Sequence, residues 1–95
     1  MVVALLVVVS YDISDTKRRN KVAKLLEGAG SRVLESVFEC DLTPAQWAKV
    51  RQRLTRRLKA DEDRARFYFL CQPCAARTEV VGGGTIETTP PVYIV

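Results

Sequence analysis

Val2 to Val9 is an unbroken aliphatic run rich in valine, with no polar residue to mark a solvent face. Such a run predicts a central strand covered on both sides rather than the alternating pattern of a half-exposed one. Polarity returns at Ser10-Tyr11-Asp12-Ile13-Ser14-Asp15, where Ser14 or Asp15 can cap a helix running from about Thr16 to Glu27. Val22, Leu25 and Leu26 share one face of that helix, while Lys17, Lys21 and Lys24 face away. Gly28 and Gly30 supply its stop, because glycine accepts the left-handed conformation common at helix ends.

Arg32 to Cys40 is strand material, either one bent strand or two strands joined by a very tight hairpin near Glu35-Ser36. Thr43-Pro44-Ala45-Gln46 then opens a second helix: threonine caps, proline takes the first helical position and Gln46 completes a capping box. Trp47, Val50, Leu54 and Leu58 fall within one arc of it, with Lys49, Arg53, Arg56 and Lys59 opposite. Asp61-Glu62-Asp63 ends it as an acidic turn, and Arg64 to Cys71 is a further strand.

The remainder is looser. Glu79 to Val81 reads as a brief strand, Gly82-Gly83-Gly84 as a flexible turn and Thr88-Thr89-Pro90-Pro91 as a stiff extended linker. Val92-Tyr93-Ile94-Val95 is a terminal apolar strand, which tends to find a sheet edge on its own subunit or on another. The succession predicts an α+β fold, a ferredoxin-like two-layer sandwich of an antiparallel sheet and two helices. Residues 1–75 form that domain and 76–95 a C-terminal extension. The sheet face without helices asks for a partner, which favours a homodimer.

Composition sharpens this picture mainly through the placement of charge. The chain has 95 residues, a formal charge of +4, and hydrophobic and charged fractions of 47% and 27%, which suit one small globular domain. Lys17, Arg18, Arg19, Lys21 and Lys24 form one acid-free cluster; Lys49, Arg51, Arg53, Arg56, Arg57 and Lys59 form another. Such clustering fits an anionic polymer, with two merely solvated helix faces as the alternative. Met1 to Tyr11 lacks a positive leading region and is too short to cross a bilayer, so no membrane role and a cytoplasmic location are expected. Three cysteines leave any disulfide framework with an odd thiol, which also favours a reducing compartment.

Candidate chemistry centres on Asp12 and Asp15. Magnesium takes oxygen ligands, keeps several waters and commonly uses only one or two protein carboxylates. At a phosphodiester it activates water and stabilises the leaving oxygen. The competing reading is capping, which suits Asp15 better and leaves Asp12 as the catalytic and metal-binding candidate. Tyr11, Arg19, Lys21, Arg32 and Phe38 are candidates for base stacking and phosphate contact, with Tyr11 and Phe38 in the core as the alternative. Arg53, Arg56 and Lys59 are candidates for phosphate contact on the second helix. Arg66-Phe67-Tyr68-Phe69 lacks the glycine–aromatic spacing of an RNA-recognition sheet.

Cys71-Gln72-Pro73-Cys74 has the spacing of a zinc or redox pair, but zinc needs four ligands and there is no second pair and no histidine. A redox pair is expected at a helix start after a parallel strand, a context the sequence does not suggest here, so structural thiols or a turn are the simpler reading. The lack of histidine also excludes a Ser-His-Asp triad, a Cys-His pair and histidine-based ribonuclease chemistry. Cleavage of a phosphodiester would then depend on a metal.

Tyr11-Asp12-Ile13, Lys17-Arg18-Arg19, Lys21 to Leu26, Gly30, Arg32-Val33, Ser36 to Cys40 and Arg66-Phe67-Tyr68, in that order and spacing, resemble the CRISPR-associated protein two family. That family is the small subunit of the spacer-acquisition machinery, described as a CRISPR-associated endoribonuclease. The resemblance implies a ferredoxin-like subunit in a symmetric homodimer, with Val92, Tyr93, Ile94 and Val95 completing the partner's sheet. It implies that Asp12 lies near the dimer axis and binds magnesium, and that Tyr11, Arg19, Lys21, Arg32 and Phe38 handle nucleic acid. Two functions follow from it: a metal-dependent endonuclease acting on RNA or DNA, or a non-catalytic dimeric scaffold. The scaffold would hold duplex DNA while a partner CRISPR integrase subunit does the chemistry, and single-stranded RNA is a second candidate ligand.

Overall fold

The computed structural model describes residues 5–82. Strand β1 (Leu5–Asp12) is followed by helix α1 (Thr16–Glu27), strands β2 (Ser31–Leu34) and β3 (Val37–Leu42), helix α2 (Pro44–Arg57), strand β4 (Arg64–Leu70) and a short helix α3 (Gln72–Ala76). The four strands form one antiparallel sheet in the order β2-β3-β1-β4. Up to β4 this is the α+β sandwich expected from the sequence, with the element order and strand order of a split βαβ fold.

The aliphatic run becomes a central strand because it can bury both of its faces. Val7, Val9 and Tyr11 point to the helices and share a core with Ile13, Val22, Ala23, Leu26, Phe38, Cys40, Leu42 and Leu54. Leu6, on the other face, is fully buried against Ala75 of α3 and Leu70 of β4. This corrects the expectation of a sheet face left wholly to a partner: the chain's own third helix covers one end of it. Full burial of each such side chain contributes roughly 1.5–3 kcal/mol, so β1 anchors both layers.

Both long helices begin as the sequence predicts. Asp15 caps α1 by accepting the Arg18 N–H at 2.9 Å. Thr43 and Gln46 form a reciprocal capping box at α2, with Thr43 N–H donating to Gln46 Oε1 at 2.9 Å and Gln46 N–H to Thr43 Oγ1 at 3.2 Å. The stops differ from expectation. Gly28 is right-handed, with φ −75°, so no left-handed cap ends α1. Gly30 matters for space instead: a Cβ there would overlap the Glu39 carbonyl oxygen and come within 2.8 Å of the Cys40 Cα. Its N–H closes onto the Leu26 carbonyl at 2.8 Å, so the chain drops directly from α1 onto β3.

Glu35-Ser36 is a two-residue hairpin, with Leu34 opposite Val37 and Arg32 opposite Phe38. Val33 is the extra residue of a bulge between those two pairs. No non-glycine described residue has a positive φ, so this hairpin is not the type I′ turn usual at two residues. α2 stops at Arg57, and Leu58 is its extended cap, so Lys59 lies beyond the helix face on which it was expected. Residues 79–81 form no strand, which corrects that expectation. Val92 to Val95, and with them the expected dimer strand, lie outside the described residues.

Candidate nucleic-acid interface and the Asp12 strand end

The pleat of β1 separates the chemistry of its last two residues. Tyr11 turns inward, while Asp12 turns to the face away from α1 and α2 and is exposed. Directly opposite Asp12 in the register stands Arg64, and opposite Ser10 stands Arg66. The Asp12 carboxylate makes no hydrogen bond or ion pair with any described residue. Arg66 donates to the Tyr68 hydroxyl at 3.3 Å on the same face. The cations that the fold sets beside Asp12 thus come from β4. Alternation in Arg64-Ala65-Arg66-Phe67-Tyr68 puts the two arginines on one face, but their register against β1 was not legible.

Two of the cations that follow Asp12 in sequence, Arg18 and Arg19, are committed to the fold. Arg18 grips Asp63 through two bonds, Nε to Oδ2 at 2.8 Å and Nη2 to Oδ1 at 3.2 Å. The Asp63 side chain is completely buried and also accepts the Lys59 N–H at 2.8 Å. The Arg18 hydrogen bond, then the Lys59 N–H, hold the Asp63 carboxyl below its ordinary value of 3.8. Arg19 donates to the carbonyls of Ile13 at 3.2 Å and Ser14 at 3.4 Å and to Thr16 Oγ1 at 3.4 Å. It therefore ties the turn after Asp12 to the start of α1. Lys59 pairs with Glu62 at 2.6 Å.

Tyr11 and Phe38 are core residues. Phe38 is completely buried and stacks on Tyr11 with ring centroids 6.2 Å apart, while the Arg32 guanidinium lies 5.2 Å from its centroid. Neither ring presents a face to a base in this conformation. The Tyr11 hydroxyl reaches the Glu35 carbonyl at 3.5 Å, and burial raises its pKa above the usual 10.0. Arg32 itself is exposed on the edge strand.

A different surface gathers five further cations. Lys21 and Lys24 of α1 and Arg53, Arg56 and Arg57 of α2 line one groove of about 560 Å³, floored in part by Leu25. None of the five is ion-paired with a described residue. The two basic clusters, separate in sequence, converge because α1 and α2 pack side by side over the same sheet face. Lys24 and Arg57 were visible as cluster members but not as groove residues, since the relative rotation of the helices is a tertiary property. This groove lies in the helix layer, whereas Asp12 looks out from the opposite sheet face.

Among the described residues, no three His, Cys, Asp or Glu side chains converge as a metal-binding group. Asp12 supplies a single exposed carboxylate, the minimum that magnesium accepts when water and a substrate phosphate complete its shell. Among the same residues no helix is long and apolar enough to cross a membrane.

A small antiparallel α+β subunit with a strand-end aspartate and a basic helix layer is the class this fold defines. The sequence profile of the family described as CRISPR associated protein Cas2 matches residues 5–78, and the chain belongs to that family. It is 52% identical over 89 residues to CRISPR-associated endoribonuclease Cas2 1 of Chloroflexus aurantiacus, covering 92% of this chain and 96% of that one. The crystal structure of Streptococcus pyogenes Cas2 superposes with a TM-score of 0.71 at 40% identity, over 81% of this chain and 99% of that one. A chain of a partial Cas6-RT-Cas1–Cas2 complex gives a TM-score of 0.74 at 26% identity, over 96% and 99%.

Proposed function

We propose that this protein is a homodimeric nucleic-acid-binding subunit of CRISPR spacer acquisition, with a magnesium-dependent phosphodiesterase capacity on Asp12. The observation that carries the binding part is the groove between α1 and α2, where five cations stand close together and none is ion-paired with a described residue. Like charges are held together at a cost, which a phosphate chain relieves while releasing its own counterions. Duplex DNA is the primary ligand, and single-stranded RNA is the alternative.

For cleavage, Asp12 and the Asp12 of a second subunit would hold the magnesium, which when bound supplies an activated water and a stabilised leaving oxygen. Arg64 and Arg66 would orient the phosphate on the same face, and Arg19 would keep the strand-end turn in place. The name of the Chloroflexus relative supports an endoribonuclease reading, with DNA as the other substrate class. Val92 to Val95 would complete the partner's sheet and bring the two aspartates together.

A second reading is a non-catalytic scaffold that bridges integrase subunits on duplex DNA. It is favoured by the single carboxylate at the strand end, and the Cas1–Cas2 neighbour supports an integrase partner. Asp12→Asn separates the two. Under the nuclease reading it abolishes magnesium-dependent cleavage by the purified dimer and leaves DNA affinity unchanged. Cleavage at the wild-type rate would remove Asp12 from the chemistry.

A further inference from the structure

Cys71 and Cys74 lie outside everything proposed above, yet the fold places them in a defined relationship. Cys71 is the N-cap of α3 and Cys74 its third helical residue, with Gln72 and Pro73 between. The separation of Cα atoms three residues apart depends on the torsions of the two residues between them. With Gln72 and Pro73 helical, that separation is about 5 Å from helix geometry. Disulfides span Cα separations of roughly 4.4–6.8 Å. The turn is held shut by the Ala75 N–H donating to the Cys71 carbonyl at 2.8 Å. Ala75 is itself completely buried against Leu6, so the pair stands on an anchored turn rather than a loose tail. Both thiols are exposed, in contrast to Cys40, which is buried in the main core.

We propose that Cys71 and Cys74 form a thiol–disulfide exchange site, closing to an intramolecular disulfide on reaction with a small disulfide such as oxidised glutathione. The Cys71 thiolate attacks one sulfur of that disulfide, forming a mixed disulfide and expelling one thiolate. The Cys74 thiol gives its proton to solvent and attacks the Cys71 sulfur, expelling the second thiolate. Two electrons pass from the protein dithiol to the small disulfide, which leaves as two thiols. A hydrogen bond from the Cys74 thiol lowers the Cys71 pKa below 9.0 and the same bond raises that of Cys74, which fits Cys71 as the attacking group. The closed ring would fix the joint between β4 and the residues beyond α3, leaving the groove and Asp12 untouched. The α3 start also differs from the sequence expectation: the pair does open a helix, although the strand before it is antiparallel.

The test is to incubate the full-length protein in glutathione redox buffers, trap free thiols by alkylation and map the peptides. Expected is paired loss of the Cys71 and Cys74 thiols in a linked 71–74 peptide, with Cys40 still alkylated after unfolding. Cys74→Ser should stall at a Cys71–glutathione adduct, and Cys71→Ser should lose the fast phase of alkylation. Independent alkylation of the two thiols at equal rates, with no linked peptide in excess oxidised glutathione, would overturn the proposal. So would stoichiometric zinc held by these thiols in the purified protein.

Discussion

The Arg18 guanidinium closes on the buried Asp63 carboxylate through two hydrogen bonds, joining the first turn of α1 to the loop that leads into β4. Forty-five residues separate the pair in sequence. Removing Arg18 leaves a buried carboxylate facing only one backbone N–H, the situation in which a broken buried pair is most costly. Arg18→Ala should therefore lower Tm by at least about 4–8 °C in thermal unfolding followed by circular dichroism. An unchanged Tm would mean that water replaces the guanidinium at no cost.

The same carboxylate sets an acid limit. Its folded pKa lies below the ordinary 3.8, so its contribution is complete above that value and is lost as pH falls through the folded pKa. Asp63→Asn should be less stable than wild type at neutral pH, and the difference should shrink below about pH 3.8. A difference that stays constant from pH 7 to pH 2 would contradict the Arg18–Asp63 linkage.

Phe38 distinguishes packing from recognition. Phe38→Ala should cost about 3–5 kcal/mol in denaturant unfolding, as expected for emptying a fully buried aromatic site. Phe38→Leu keeps most of the apolar volume, and it should retain nucleic-acid affinity within about twofold. A large loss of affinity in a folded Phe38→Leu protein would show that the ring leaves the core to meet a base.

Gly30 is required by contact rather than by torsion. Gly30→Ala should lower Tm by more than the roughly 4–8 °C that accompanies a 1 kcal/mol loss, because the methyl meets β3 backbone that cannot yield as a side chain would. Wild-type stability in this variant would mean that α1 and β3 can move apart freely.

Local chemistry made much of the fold legible, and tertiary geometry hid the rest. The caps at Asp15 and Thr43 act within three residues, and both helix starts followed from them. The Glu35-Ser36 hairpin carries no glycine or asparagine to announce itself, and a bulge at Val33 shifts its register. Of the candidate site, Asp12 could be separated from Asp15 by capping alone. The partners of the cations could not. Asp63 reads as a turn residue until it meets Arg18, and Lys59 reads as a helix-face residue until α2 ends two residues earlier. Arg64 and Arg66 come to stand opposite Asp12 and Ser10 only through strand register, and the groove exists only where two helices lie side by side.

The central claim is that the unpaired cations between α1 and α2 hold a phosphate chain. The most direct measurement is duplex DNA affinity against salt for wild type and for Lys21→Ala/Arg53→Ala/Arg56→Ala. Each phosphate contact contributes about 0.9 to the slope of log K against log salt. The triple variant should bind more weakly at low salt, with a slope shallower by roughly 2–3. An unchanged affinity and slope would mean that the groove is only a solvated helix face, and that nucleic acid is held elsewhere.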